Sequence, residues 1–401
     1  MKSAAVAVLW VACSALAGDF ERANELAFSR RFAEAEALYR TLPATPETRL
    51  ALARVVLWQG RYAEAAAMFD ALEGVEALEG KASAQYWSGD WRSADRTFRH
   101  VLETDPGRES GQKALREIAA ATRPSQRIGF EGVHDDQPLD LVRGEIAATL
   151  FSDPQTRWTF AFGQYAGDAS GHFASIANQT TLRGLTVNAA AGLFTWPDGV
   201  RRPVGSARLQ WRSFSARLER APEIASAASF GRHVASTTTA LRWETSRHWL
   251  ASAELAHRTY SDDNDGWSAV AYAVAPVRRS DWTFWGGASV AARDTSESRF
   301  SSAGVYDPYW TPDDLREARA VVAIERRIAS GAVKLHGDGG YAQDKGRAFD
   351  IPYDRSYRPW RLGLATDLPL TPNFRIEAGV TRGATVDYRS TTYHAALVRR
   401  H

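Results

Sequence analysis

From about Gln126 onward, short segments alternate apolar and polar residues, and the polar positions carry opposite charges two residues apart. Arg143 and Glu145 form one such pair. Arg217 and Glu219, Arg242 and Glu244, Glu317 and Arg319, Glu325 and Arg327, and Arg375 and Glu377 repeat it. Side chains alternate faces along a strand, so residues two apart share a face. The opposite face of the same segments is apolar: Val142, Ile146 and Leu150; Phe214 and Leu218; Leu241 and Trp243; Val322 and Ile324; Phe374, Ile376 and Val380. A soluble antiparallel sheet alternates in the same way, with its apolar face packed on a core. Here no helices or second sheet type intervene to supply that cover. The pattern predicts a transmembrane β-barrel, apolar residues toward hydrocarbon and charged residues toward a wet lumen. Glu254, Lys334 and Asp338 join the six pairs as expected lumen-lining residues.

Turn-like clusters such as Ser152-Asp153-Pro154, Trp196-Pro197-Asp198-Gly199 and Asp344-Lys345-Gly346 bound the segments. They divide residues 126–401 into about 16 antiparallel strands, an even number as bacterial barrels require. Trp158, Trp196, Trp211, Trp243, Trp249, Trp267, Trp282, Trp285 and Trp360 fall near strand ends, where a membrane-interface belt is expected.

The amino-terminal third has a different period. Between Asp19 and Arg123 the chain is rich in Ala, Leu, Glu and Arg, and three stretches align. These are Arg30 to Ala35 with Tyr39, Gly60 to Ala65 with Phe69, and Gly89 to Ala94 with Phe98. Each has a turn residue, an aromatic two positions on (Phe32, Tyr62, Trp91), an alanine three further and an aromatic four beyond that. This resembles the tetratricopeptide repeat, in which the small residue allows close helix packing. Such arrays stack helical hairpins and commonly present a protein-binding surface. Ahead of them, Lys2, the apolar run Ala4 to Ala12 and Ala15-Leu16-Ala17 read as a secretory signal cleaved before Gly18. The expected organisation is therefore α+β and multi-domain: 1–17 signal peptide, 18–125 periplasmic helical repeats, 126–401 outer-membrane barrel.

Charge and candidate chemistry narrow the function. The formal charge of +2 gives no reason to propose nucleic acid as a partner. The single cysteine, Cys13, lies in the signal segment, which excludes thiol catalysis and cysteine-based zinc sites from the mature chain. Asp263, Asp265 and Gly266 imitate part of a calcium loop, but Tyr272 stands where a bidentate glutamate is needed. His233, His257 and His394 are scattered and no nucleophile motif surrounds a serine. The reading is non-enzymatic, with no metal and no cofactor. The mixed-sign lumen favours a neutral or weakly charged glycan over a strongly anionic one. One segment breaks the strand rhythm: Tyr306, Asp307, Tyr309 and Trp310 belong to an aromatic, proline-containing loop. Aromatic faces suit sugar rings, so this loop is an expected glycan contact.

Signal peptide, periplasmic repeats and a barrel of about 16 strands together resemble bacterial exopolysaccharide export porins. The comparisons are the carboxy-terminal part of the outer-membrane component of bacterial cellulose synthase, the poly-N-acetylglucosamine porin and YaiO-type outer-membrane proteins. Tyr309-Trp310-Thr311-Pro312 resembles a Tyr-aromatic-Ser-Pro motif of those barrels. The resemblance implies a polysaccharide chain, outer-membrane lipid and a periplasmic protein as partners. A plugged barrel serving as anchor, scaffold or surface receptor is the alternative, and a barrel-embedded hydrolase a more distant one.

Overall fold

The computed structural model describes residues 18–136, 139–182, 184–246, 249–297, 309, 311–328, 331–348, 351–385 and 388–401. The expected signal segment, and Tyr306, Asp307 and Trp310, lie outside them. The chain divides into a helical unit and a barrel unit.

The helical unit holds α1 (18–28), α2 (Phe32–Thr41), α3 (Pro46–Trp58), α4 (Tyr62–Asp70), α5 (Val75–Trp87), α6 (Trp91–Thr104) and α7 (Glu109–Ala121). The turn residue of each sequence repeat adopts the left-handed conformation, with φ of 60° at Arg30, 78° at Gly60 and 83° at Gly89. That reversal folds the second helix of each pair back onto the first. The repeated alanines Ala35, Ala65 and Ala94 are fully buried, and so nearly are Tyr39, Phe69 and Phe98. Each pair completes its core with the helix that follows. Val55 of α3 packs with Ala35 and Tyr39, Ala84 of α5 with Ala65 and Phe69, and Ile118 of α7 with Ala94 and Phe98. Helix α7 therefore supplies to the last pair what the next repeat supplies to the others. Gly80 on α5 is required by this stacking: a Cβ there would lie 2.4 Å from the Phe69 ring.

The barrel unit is a closed 16-stranded antiparallel barrel. Its strands are β1 (Ser125–Asp135), β2 (Asp140–Asp153), β3 (Thr156–Gly167), β4 (Gly171–Leu182), β5 (Leu185–Thr195), β6 (Arg201–Trp211), β7 (Phe214–Pro222), β8 (Ala235–Thr245) and β9 (Leu250–Tyr260). The wall continues through β10 (Asp265–Arg279), β11 (Trp282–Thr295), β12 (Leu315–Ile328), β13 (Gly331–Ala348), β14 (Ile351–Tyr357), β15 (Trp360–Thr371), β16 (Phe374–Ala384) and β17 (Arg389–Arg400). Seventeen segments make 16 staves because β14 and β15 are one stave interrupted at Arg358-Pro359. Both pair with the long β13, β15 along Ala332–Gly339 and β14 along Ala342–Ala348. Proline has no N–H for the ladder, so the pairing breaks there and resumes. Closure comes from β1 against β17, in register from Ser125↔Arg400 to Asp135↔Ser390.

Tight turns such as Arg212-Ser213, Ser280-Asp281 and Pro372-Asn373 lie at the end where Ser125 meets Arg400. At the other end the β7–β8 connection runs from Glu223 to Val234 and contains the short helix α8 (Ala227–Gly231). Ser226 and Ser229 cap α8 reciprocally, side chain to backbone, at 3.0 and 3.1 Å.

Candidate functional site

The wall has the two faces that the alternation predicts. Val142, Ile146, Leu150, Phe214, Leu218, Leu241, Trp243, Val322, Ile324 and Val380 are all exposed large apolar residues. Nothing in the barrel covers them, which is the surface a hydrocarbon solvent demands. Trp158, Trp211, Trp249, Trp267, Trp282 and Trp360 are exposed in the same way. Two of the expected belt residues are not. Trp196 is 2% exposed, and Trp285 faces a cavity inside the barrel. The reason for Trp285 is parity: Trp282 and Phe284 point outward, so a residue three and one positions away points inward.

The charged face is a set of linked ion pairs. Within single strands Arg143 reaches Glu145 at 2.5 Å, Arg217 reaches Glu219 at 3.2 Å, Arg242 reaches Glu244 at 2.7 Å, and Arg319 reaches Glu317 at 2.6 Å. Neighbouring strands extend the chains. Arg127 of β1 contacts Glu145 at 3.3 Å and Glu377 at 3.8 Å, and Arg143 contacts Glu131 at 2.8 Å. Arg217 reaches Glu254 at 3.6 Å. Arg319 spans to Asp338 at 2.6 Å, which Arg361 also binds at 2.9 Å. The remaining two sequence pairs behave differently. Arg375 binds Asp367 of β15 rather than its neighbour Glu377. Glu325 and Arg327 make no ion pair among the described residues, and Lys334 stands in register with Glu325 without binding it.

Arg319 is nearly buried, as are Glu317 and Asp338, with side chains 10%, 17% and 8% exposed. Pairing is what makes such burial tolerable, because an isolated charge there would lose several kcal/mol of hydration. Arg319, Glu317, Asp338 and Lys334 line a cavity of 990 Å³ together with residues of β1, β9, β10, β11 and β15. Only an interior space touches strands so far apart around the wall. Arg127, Glu131, Arg361 and Asp367 escape sequence reasoning because their partners sit on other strands. The spacing of two that reveals the rest cannot show them.

An apolar cluster occupies one side of the interior at the α8 end. Leu141, Phe173 and Phe194 project from the inward face of their strands and meet Trp196, Ala169 and Leu139. Phe230 of α8 packs into the same cluster, its ring 6.0 Å from Phe194 and 5.8 Å from Trp196. The Trp196 indole donates to the Phe230 carbonyl at 3.0 Å. The sequence signal for this docked segment is the Ser226-Ala-Ala-Ser229 cap, a weak one on its own.

Of the expected aromatic loop, Tyr309 is described. It is 1% exposed, stacked on Tyr260 at 4.0 Å between ring centres, and its hydroxyl donates to Asp262 at 2.8 Å.

No protein-family model and no curated protein sequence matches the chain. Solved structures do. A bacterial polysaccharide outer membrane secretin superposes with a TM-score of 0.57 at 11% identity, over 70% of this chain and 99% of that one. A loop-deletion form of OmpT, an outer membrane protein of Vibrio cholerae, gives 0.37 at 10% identity, over 69% of this chain and 98% of that one. The second TPR domain of human RPAP3 gives 0.23 at 20% identity over 25% of this chain and 90% of its own. At these identities the secretin likeness shows a shared fold, that of an outer-membrane barrel.

Proposed function

We propose that this chain is a non-enzymatic outer-membrane channel through which a polysaccharide leaves the cell, its helical array docking an assembly or modifying partner in the periplasm. The observation that carries the reading is a barrel whose outer face is apolar while its inner face is charged around a 990 Å³ cavity. A closed wall of this kind satisfies every backbone group without water, so it is stable in lipid and leaves the interior to a hydrated cargo. Tight turns at the end bearing Ser125 support placing that end, and with it the array, on the periplasmic side. The burial of Tyr309 supports a structural role for that residue, so glycan contact falls to the interior wall, with Tyr306, Asp307 and Trp310 as further candidates.

The second reading, a plugged anchor, draws on the apolar cluster around Phe230. Conduction separates the two. Purified protein in planar bilayers is expected to conduct, and reversing Glu325 and Glu377 to lysine should shift ion selectivity toward anions. Deleting the gene should remove surface polysaccharide. A folded, heat-modifiable barrel that conducts nothing would decide for the anchor.

A further inference from the structure

The interior cavity holds a cation, Lys334, that is not part of the wall's linked ion pairs among the described residues. Arg319, Lys334 and Arg361 border it with two carboxylates, Glu317 and Asp338, and Arg293 lies there with interactions of its own. Arg319 binds both carboxylates and Arg361 binds Asp338 as well, so both anions are engaged by those two arginines. Lys334 makes no ion pair among the described residues, although Glu325 stands opposite it on β12. Its ammonium stands 6.0 Å above the Trp285 ring, whose indole N–H is buried without a hydrogen-bond acceptor. A cation and a donor thus converge, and neither is bound to an acceptor of the wall among the described residues.

The surroundings suit a sugar. Trp285 and Tyr272 offer aromatic area on the cavity wall. An adjoining cavity of 580 Å³ shares Arg319, His336, Asp338 and Arg361 with the first and adds the hydroxyls of Thr381, Ser390 and Thr392. Ring C–H faces pack on aromatics while hydroxyls need polar partners, and both kinds of surface are present together. The volume also lies near the upper part of the roughly 300–1,000 Å³ typical of ligand sites.

We propose that the Trp285–Lys334 wall of the cavity is a binding subsite for a carboxylate-bearing glycan, a uronate-type residue whose carboxylate pairs with Lys334 and accepts from the Trp285 indole. This rests on the polysaccharide-export reading and sharpens it. A balanced, mixed-sign wall favours a neutral polymer, but balance over the whole wall conceals a cation at this one place, Lys334, that no carboxylate binds among the described residues.

Binding is measured on the full chain in detergent, by calorimetry with a galacturonate hexamer and with maltohexaose as the uncharged control. The expected result is galacturonate binding that weakens with salt and exceeds maltohexaose about tenfold. Lys334→Gln should lower galacturonate affinity about tenfold, as loss of one charged hydrogen bond implies, and leave maltohexaose unaffected. Trp285→Phe, which keeps a ring and loses the donor, should lower it several-fold. Unchanged heat-modifiable migration certifies folding of both variants. Equal binding of the two sugars, no binding of either, or indifference to Lys334→Gln overturns the subsite. Because no membrane is involved, the two proposals fail separately: a conducting chain without preferential binding loses only the subsite, and a binding chain that neither conducts nor supports surface polysaccharide loses only the export reading.

Discussion

Replacing Phe230 by alanine tests whether the α8 segment is a docked element of the interior. The ring is 5% exposed and touches Phe194 and Trp196, so truncation removes a core aromatic and leaves a void that a hydrogen-bonded barrel wall fills poorly. Such truncations cost about 3–5 kcal/mol. The wall itself is tied by strand ladders on both sides of every stave, so the loss should fall on the loop from Glu223 to Val234. A loss of that size lowers the docking constant by roughly two to four powers of ten. What remains is polar and individually modest: the Trp196 indole bond to the carbonyl of residue 230 at 3.0 Å, the His233–Asp198 contact at 2.9 Å, the Ser226–Ser229 cap, the Glu223 N–H to Val234 carbonyl bond at 2.8 Å and the Arg258–Glu223 contact at 3.6 Å. The variant should therefore fold, migrate as a heat-modifiable barrel, conduct more than wild type in planar bilayers and be cut faster by trypsin at Arg232. Wild-type conductance together with wild-type cleavage, in a folded variant, would refute the docked-segment account.

Further predictions concern pairs and packing elsewhere. Arg319→Met strands Glu317, while Asp338 keeps Arg361, and should lower barrel stability by about 3–5 kcal/mol, read as a lower temperature of heat modification. Tyr309→Ala should reduce the folded yield, since it removes a buried ring from Tyr260, whereas Tyr309→Phe should cost about 1.5–3 kcal/mol for the lost bond to the Asp262 carboxylate. In the helical unit, burial pushes the Glu36 carboxyl up, but hydrogen bonds from Arg61 and Gln59 and the charges of Arg40 and Arg61 outweigh it and hold the group below its ordinary value. A depressed carboxyl stabilises the fold above its unfolded pKa and loses that contribution as pH falls, so acid should loosen the first two repeats. Circular dichroism of Glu36→Gln, compared with wild type from neutral pH downward, should show a smaller acid-induced loss of helix; identical curves would remove Glu36 from the linkage.

Both periodicities were readable because each reports one local geometry. The alanines and aromatics of the helical repeats are buried because a spacing of four brings side chains onto one helix face. Arg143 and Glu145 were readable for the corresponding reason on a strand. What the chain does not display locally is pairing between strands. Asp338 and Arg361 lie 23 positions apart, and only the β13–β15 register sets them opposite each other. Trp196 and Trp285 show a different failure. Position near a strand end suggested the interface belt, but facing decides where a tryptophan goes. Trp285 is an odd number of residues from both Trp282 and Phe284, so its facing was available from counting. Trp196 lies beyond the end of β5, where alternation ceases to constrain direction.

The β1–β17 ladder makes the last strand of this chain the partner of the first strand of its barrel. Every other ladder joins segments close in sequence and can zip up as a hairpin. This one must wait until the whole barrel sequence has arrived, and it carries the largest loop-closure entropy in the unit. Until then β1 and β16 each present a row of unpaired amides and carbonyls, the surface on which strands of other molecules aggregate. Assembly thus ends in a single late step whose failure leaves no closed barrel. Loss of a few residues from β17 should therefore be felt as missing protein rather than as altered conduction.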